Sequence, residues 1–116
     1  MRKETRELYK KACEKWGQGQ LLLAIEECSE LIQALCKVWR WPSKVAPEDL
    51  VEEIVDVKIM VEQLEVVFYC EKVAGRIRRK KLRRLKKLLC EPEFGVEQRK
   101  VHYEQGICDD VVDEDE

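Results

Sequence analysis

The sequence predicts an all-α fold, a bundle of about three to four helices, on three observations. Apolar residues recur at three- and four-residue spacing over long stretches, as they do along one face of a helix. Only five glycines and three prolines interrupt 116 residues, too few for the turns of an all-β chain. Charged residues make up 40% of the chain and hydrophobic residues 45%, a balance typical of helices with wide solvated faces. A chain of this length holds one modest domain rather than two well-cored ones.

The first helix is expected over residues 3–15, with Leu8, Ala12 and Cys13 as a thin apolar stripe. The two glycines of "WGQGQ" at 16–20 end it. A second helix runs from about Gln20 to Arg40, and "WPSKVAP" at 41–47 is a loop with two prolines. Pro47 suits the first turn of a third helix, and the acids that follow it suit a helix N-terminus. That helix is expected from about Pro47 to at least Cys70, running on into the basic segment 76–89 with Gly75 as a bend. "CEPEFG" closes it. The helical domain is thus set at residues 1–90, and residues 91–116 form a C-terminal extension whose "DDVVDEDE" reads as a disordered acidic tail.

The formal charge of −2 hides a strong asymmetry. Arg76 to Lys87 holds nine basic residues and no acid, and Asp109 to Glu116 holds six acids and no base. Six cysteines could suggest a disulfide framework. The opening "MRKETRELYKK" has no apolar core of a signal peptide, however, and no C-x-x-C pair is present. Cys28, Cys36 and Cys70 fall at apolar or boundary helix positions, where a free thiol acts as a small hydrophobe. Reduced thiols and a cytoplasmic protein are expected. No apolar run reaches the length of a membrane span.

The chemistry lies in carboxylates set among apolar residues. On a 100° wheel, Glu26, Ser29, Glu30, Gln33 and Lys37 share one polar sector of the second helix. Glu30 lies towards its edge. Glu27 instead falls between Ala34 and Val38, inside the apolar sector. On the third helix Leu50, Ile54, Val57, Val61, Leu64 and Phe68 make the expected apolar face, and Glu53 projects between Met60 and Leu64 within it. Asp56 lies at the border, and Glu48, Glu52 and Glu62 point to the opposite side. A three-residue spacing puts Glu27 with Glu30, and Glu53 with Asp56, on adjacent turns. If the helices pack antiparallel, the four carboxylates converge, and they cannot all stay ionised without a cation among them. Oxygen-only ligands favour Mg²⁺ or Mn²⁺, and Mg²⁺ commonly also binds substrate phosphates. A di-iron bundle would need E-x-x-H pairs, and the single histidine, His102, lies far from these helices in the sequence. The ordinary alternative is that each carboxylate is simply solvated; the repeated pairing on two helices argues against it.

"EECSE", followed after 22 residues by "EIVD", resembles the E-E-x-x-E plus E-x-x-D signature of the MazG-like all-α nucleoside triphosphate pyrophosphohydrolases. The flanks "QLLLAIEECSELIQALCKVWR" and "EDLVEEIVDVKIMVEQL" are similar to the small single-domain members of bacteria and their phages. The likeness covers about residues 16–70. It implies Mg²⁺, with Mn²⁺ as a substitute, held by Glu27, Glu30, Glu53 and Asp56, with Glu26 as an auxiliary group. It implies hydrolysis of an NTP or dNTP to the monophosphate and pyrophosphate, for house-cleaning or for control of nucleotide pools. It also implies a homodimer or a dimer of dimers, with a four-helix core completed across the subunit contact.

The catalytic candidates are Glu30, as general base nearer the polar edge, and Glu27. Lys37 lies within about 20° of Glu30 on the wheel and can reach a phosphate, or is an ordinary surface lysine. Trp16, Trp39 and Trp41 flank the motif helix and can stack on a base, or serve packing. In the basic segment Ile77, Leu82, Leu85, Leu88 and Leu89 form one stripe with the basic groups around it. This reads as a solvated face, an aid to triphosphate binding, or a nucleic-acid surface. The competing function is therefore a non-catalytic dimeric helical module that binds nucleic acid or a partner through residues 76–89.

Overall fold

The computed structural model describes residues 1–91. Among these the secondary structure is entirely helical: α1 (Lys3–Trp16), α2 (Gly19–Arg40), a short 3-10 turn (Pro42–Lys44), α3 (Pro47–Val67) and α4 (Glu71–Cys90). The expected acidic tail, the 91–116 extension apart from Glu91, and His102 all lie outside the described residues. No described helix is long and apolar enough to cross a membrane.

Each junction has a local cause. Gly17 takes φ 53°, ψ −127°, a conformation open to glycine, and its N–H caps α1 on the Cys13 carbonyl. Gly19 is already the first residue of α2, so Gly17 makes the break. Pro47 opens α3 with Glu48 and Asp49 in its first turn, where a missing N–H and a negative charge are both tolerated best. The long third helix does not form as expected. α3 stops at Val67, Tyr69 adopts φ 51°, and α4 starts afresh at Glu71. The Tyr69 and Cys70 N–H groups return to the carbonyls of Val66 and Glu65, the paired hydrogen bonds of a Schellman turn. Gly75, the expected bend, sits inside α4.

Among the described residues, α2 and α3 form an antiparallel hairpin and share the most extensive contact; α1 lies against both, and α4 meets the other helices through α3 and a salt bridge to α1. The core is thin. Tyr9, Ala24, Leu50, Met60 and Val66 are its buried apolar members, joined by Gln20 and Gln63. On α1 the buried residue is Tyr9, while Leu8 of the expected stripe is exposed. The Tyr9 hydroxyl donates to Glu62 Oε2 at 2.6 Å. On α3, Leu50 is buried and Val57 and Leu64 half-buried as expected, but Ile54, Val61 and Phe68 are exposed, and Met60, Gln63 and Val66 are buried in their place. α3 is apolar around most of its circumference, so a wheel does not decide which side its neighbours cover.

Candidate metal centre

The α2–α3 hairpin brings carboxylates from both helices to one place. One oxygen each from Glu27, Glu30 and Glu53 lie within 4.8 Å of one another. Glu27 and Glu53 are half-buried and Glu30 is exposed, so the cluster has a floor and an open side. The Oε2 atoms of Glu27 and Glu53 are shielded from solvent and accept no hydrogen bond from the described residues. Ion pairs among the described residues are Arg6–Glu71 and Lys10–Glu7, so none of these glutamates has a cationic partner. Orphaned carboxylate oxygens are costly to shield from water.

Electrostatics follow from that burial. Desolvation is the largest influence lifting the Glu27 carboxyl above its ordinary value, and the charges of Glu30, Asp56 and Glu53 push it further. Glu53 is lifted by desolvation first, then by Glu30, Asp56 and Glu52. Asp56 is exposed and outside the tight trio, but its charge reaches both half-buried glutamates. Such a group either holds protons or holds a cation.

The cluster opens into a cleft of about 420 Å³ between the ends of α2 and α3, where Glu30 and Glu53 meet Gln33, Lys37, Lys44 and Glu52. Lys37 is therefore on the site's rim. Glu52, expected on the far side of α3, lines the cleft instead. Lys44, on the 3-10 turn, has no place on a helical wheel and was not anticipated; only its position in the loop joining the motif helices hinted at it. Glu26 is exposed, and its carbonyl accepts the Ser29 hydroxyl at 2.7 Å. Trp16 and Trp39 are exposed and do not line the cleft. Trp16 instead sits under the Lys15 ammonium, 5.1 Å from the ring centroid.

No protein-family model, curated protein or solved structure matches the chain. The chemistry of the site has to follow from its donor atoms. A hard divalent cation fits them. The donors are all oxygen, two are orphaned, and ions at about 2.0–2.4 Å from each ligand bring oxygens to separations of this size. Among the described residues no histidine or thiol joins the group, which disfavours zinc and di-iron chemistry.

Proposed function

We propose that the chain is a Mg²⁺-dependent nucleoside triphosphate pyrophosphohydrolase of the MazG-like type, with Mn²⁺ able to replace Mg²⁺. The observation that carries this reading is the trio of mutually close carboxylate oxygens from Glu27, Glu30 and Glu53, with two shielded oxygens that accept no hydrogen bond from the described residues. Glu27, Glu30, Glu53 and Asp56 would hold the ion. When bound, it would offset negative charge on the phosphate oxygens and on the transition state.

The chain's own residues supply the rest. Glu30, at the exposed side of the trio, orients the attacking water and takes its proton as general base. Lys37 and Lys44 on the cleft rim offset the charge of the polyphosphate. Glu27 and Glu53, held in place by the packed hairpin, keep the site in register. A pyrophosphate product then leaves through the open side.

A second copy of the chain belongs to this reading. Leu21, Ile25, Cys28, Ile32 and Leu35 line the outer face of α2, and all are exposed. An unpartnered apolar stripe of this length beside so thin a core supports a homodimer that completes a four-helix arrangement, or a tetramer built from two.

A second reading, a non-catalytic binding module acting through α4, is supported by the absence of any buried residue in that helix. It leaves the orphaned glutamates without a role. The deciding experiment is a panel of NTPs and dNTPs with Mg²⁺ or Mn²⁺, read by pyrophosphate release. Release from at least one substrate is expected. No release across the panel from folded protein would overturn the enzyme reading.

A further inference from the structure

Among the described residues, nothing covers α4. None of its residues is buried. Its apolar stripe lines an open groove of about 500 Å³, with Ala74, Ile77, Leu82 and Leu85 as floor and Arg78 and Lys81 on the rim. Ile77, Leu82 and Leu85 are each about half exposed. Around them stand nine basic residues from Arg76 to Lys87 with no acid among them.

That combination narrows what can sit there. A second α4 would match the apolar stripe but would set nine basic groups against nine, and like charges at close range repel. A nucleic acid would answer the charge and leave the leucines in water. The occupant that answers both is an acidic segment with apolar residues interspersed.

The chain carries such a segment. "ICDDVVDEDE", residues 107–116, has six acids, no base, and Ile107, Val111 and Val112 among them. Sixteen residues, 91–106, separate it from the end of α4. Sixteen residues can span up to about 55 Å. The 20 residues of α4 are about 30 Å long. The segment can therefore reach any point of the groove of its own chain, at an effective concentration on the order of millimolar.

We infer that residues 107–116 dock on the Ala74–Leu85 groove of α4, with Val111 and Val112 on the apolar floor and the acids against Arg78, Lys81 and their neighbours. The contact masks a polyanion-binding surface, so occupancy of α4 by a polyphosphate chain or nucleic acid competes with the chain's own acidic end. This contact is independent of whether the carboxylate cluster is catalytic.

Hydrogen exchange across α4 tests the docking, using the full chain, a chain ending at Gly106, and the full-length double variant Val111→Asp with Val112→Asp. At low salt, amides of residues 77–89 should exchange about tenfold more slowly in the full chain than in the shortened one, and high salt should erase the difference. The double variant keeps every acid and removes the apolar contact; it should lose most of that protection. A single-stranded oligonucleotide should be retained at least about tenfold more tightly by the shortened chain than by the full one. Equal exchange in the full and shortened chains at low salt overturns the inference. So does unchanged protection in the double variant, which would reduce the contact to unspecific charge. Equal oligonucleotide retention by the two chains overturns it as well, since the acidic segment then masks nothing.

Discussion

α3 and α4 are consecutive helices of 21 and 20 residues, and they handle charge in opposite ways. α3 turns Glu53 towards Glu27 and Glu30 of α2, where one of its oxygens loses water and finds no partner among the described residues. α4 turns ten basic side chains outward and leaves its leucines bare. A charge on an open face needs nothing from the fold, because water solvates it. A charge turned into a packed hairpin needs a counter-ion, a proton or a ligand. Density of charge on an open face therefore calls for no explanation, whereas a single carboxylate turned into a packed hairpin does.

The largest expected effect breaks the α3 side of that contrast. Glu53→Gln keeps the side chain's shape and removes the charge. Turnover in the pyrophosphate assay should fall by more than the 10–100-fold typical of groups that merely support metal ligands. Helical content by circular dichroism should be unchanged. Arg83→Ala with Arg84→Ala on α4 should leave turnover within a factor of about two. Comparable losses in both variants would erase the distinction.

A second measurement needs no substrate. A cation that binds only the folded chain raises stability by about 2.7 kcal/mol at one hundred times its Kd. For a domain of this size the Tm gain would be roughly 10–20 °C. Glu27→Gln with Glu53→Gln should remove the Mg²⁺-dependent gain and raise the metal-free Tm, because the repulsion is gone. The pH dependence has a definite sign. Glu27 and Glu53 have folded values raised above the ordinary 4.5, so their favourable contribution is present below that value and fades as pH rises through the folded values. Metal-free protein should therefore gain stability as the solution is acidified across that window, and saturating Mg²⁺ should flatten the curve. A metal-free Tm indifferent to both substitutions would count against the cluster.

The same contrast explains what could be read from the sequence. The helical class, α1, α2 and the start of α3 were legible, because apolar periodicity, Gly17 and Pro47 are local signals. The odd positions of Glu27 and Glu53 were legible too, because a wheel needs only the helix that carries them. Tyr9 and the buried side of α3 were not, since they depend on which neighbour covers a helix with apolar residues on most sides. Lys44 depends on the path of a loop. The break after α3 was missed because its left-handed residue is Tyr69 and not glycine.

Tyr9 offers a smaller effect and a comparison of two ties made by α1. Its phenol reaches Glu62 on α3 from a buried residue, whereas Arg6, half-buried, holds Glu71 on α4 through a bidentate pair at 2.6 and 3.0 Å. Tyr9→Phe should cost about 1–2 kcal/mol in denaturant unfolding, the usual effect of removing one partner of a shielded hydrogen bond. Arg6→Ala should cost less, since a pair that keeps roughly a third of its surface in water is screened. Burial, then Glu62, pushes the phenol up from 10.0 to about 12. A raised value means stability present below the unfolded pKa and lost as pH rises through the folded one. The gap between parent and Tyr9→Phe should hold up to about pH 10 and close towards pH 12. A gap that persists unchanged would show that the hydroxyl is not the cause.

The smallest effect lies at the junction between the two contrasted helices. Tyr69 is 93% exposed at φ 51°, so its ring contributes almost no packing while its Cβ strains the left-handed turn. That conformation costs a non-glycine residue about 1 kcal/mol. Gly75 has the converse problem: it sits in a helix interior, where glycine costs about 0.5–1 kcal/mol relative to alanine. An added Cβ there would meet only the Arg79 side chain, at an ordinary 3.6 Å. Tyr69→Gly and Gly75→Ala should each stabilise the chain by about 0.5–1 kcal/mol. Six residues separate the two sites, about 9 Å along a helix axis, so the gains should add within about 0.5 kcal/mol. Unfolding in denaturant at neutral pH measures both. A loss on Tyr69→Gly would mean that the exposed ring touches something a single chain does not contain, and would make the α3–α4 junction part of an interface.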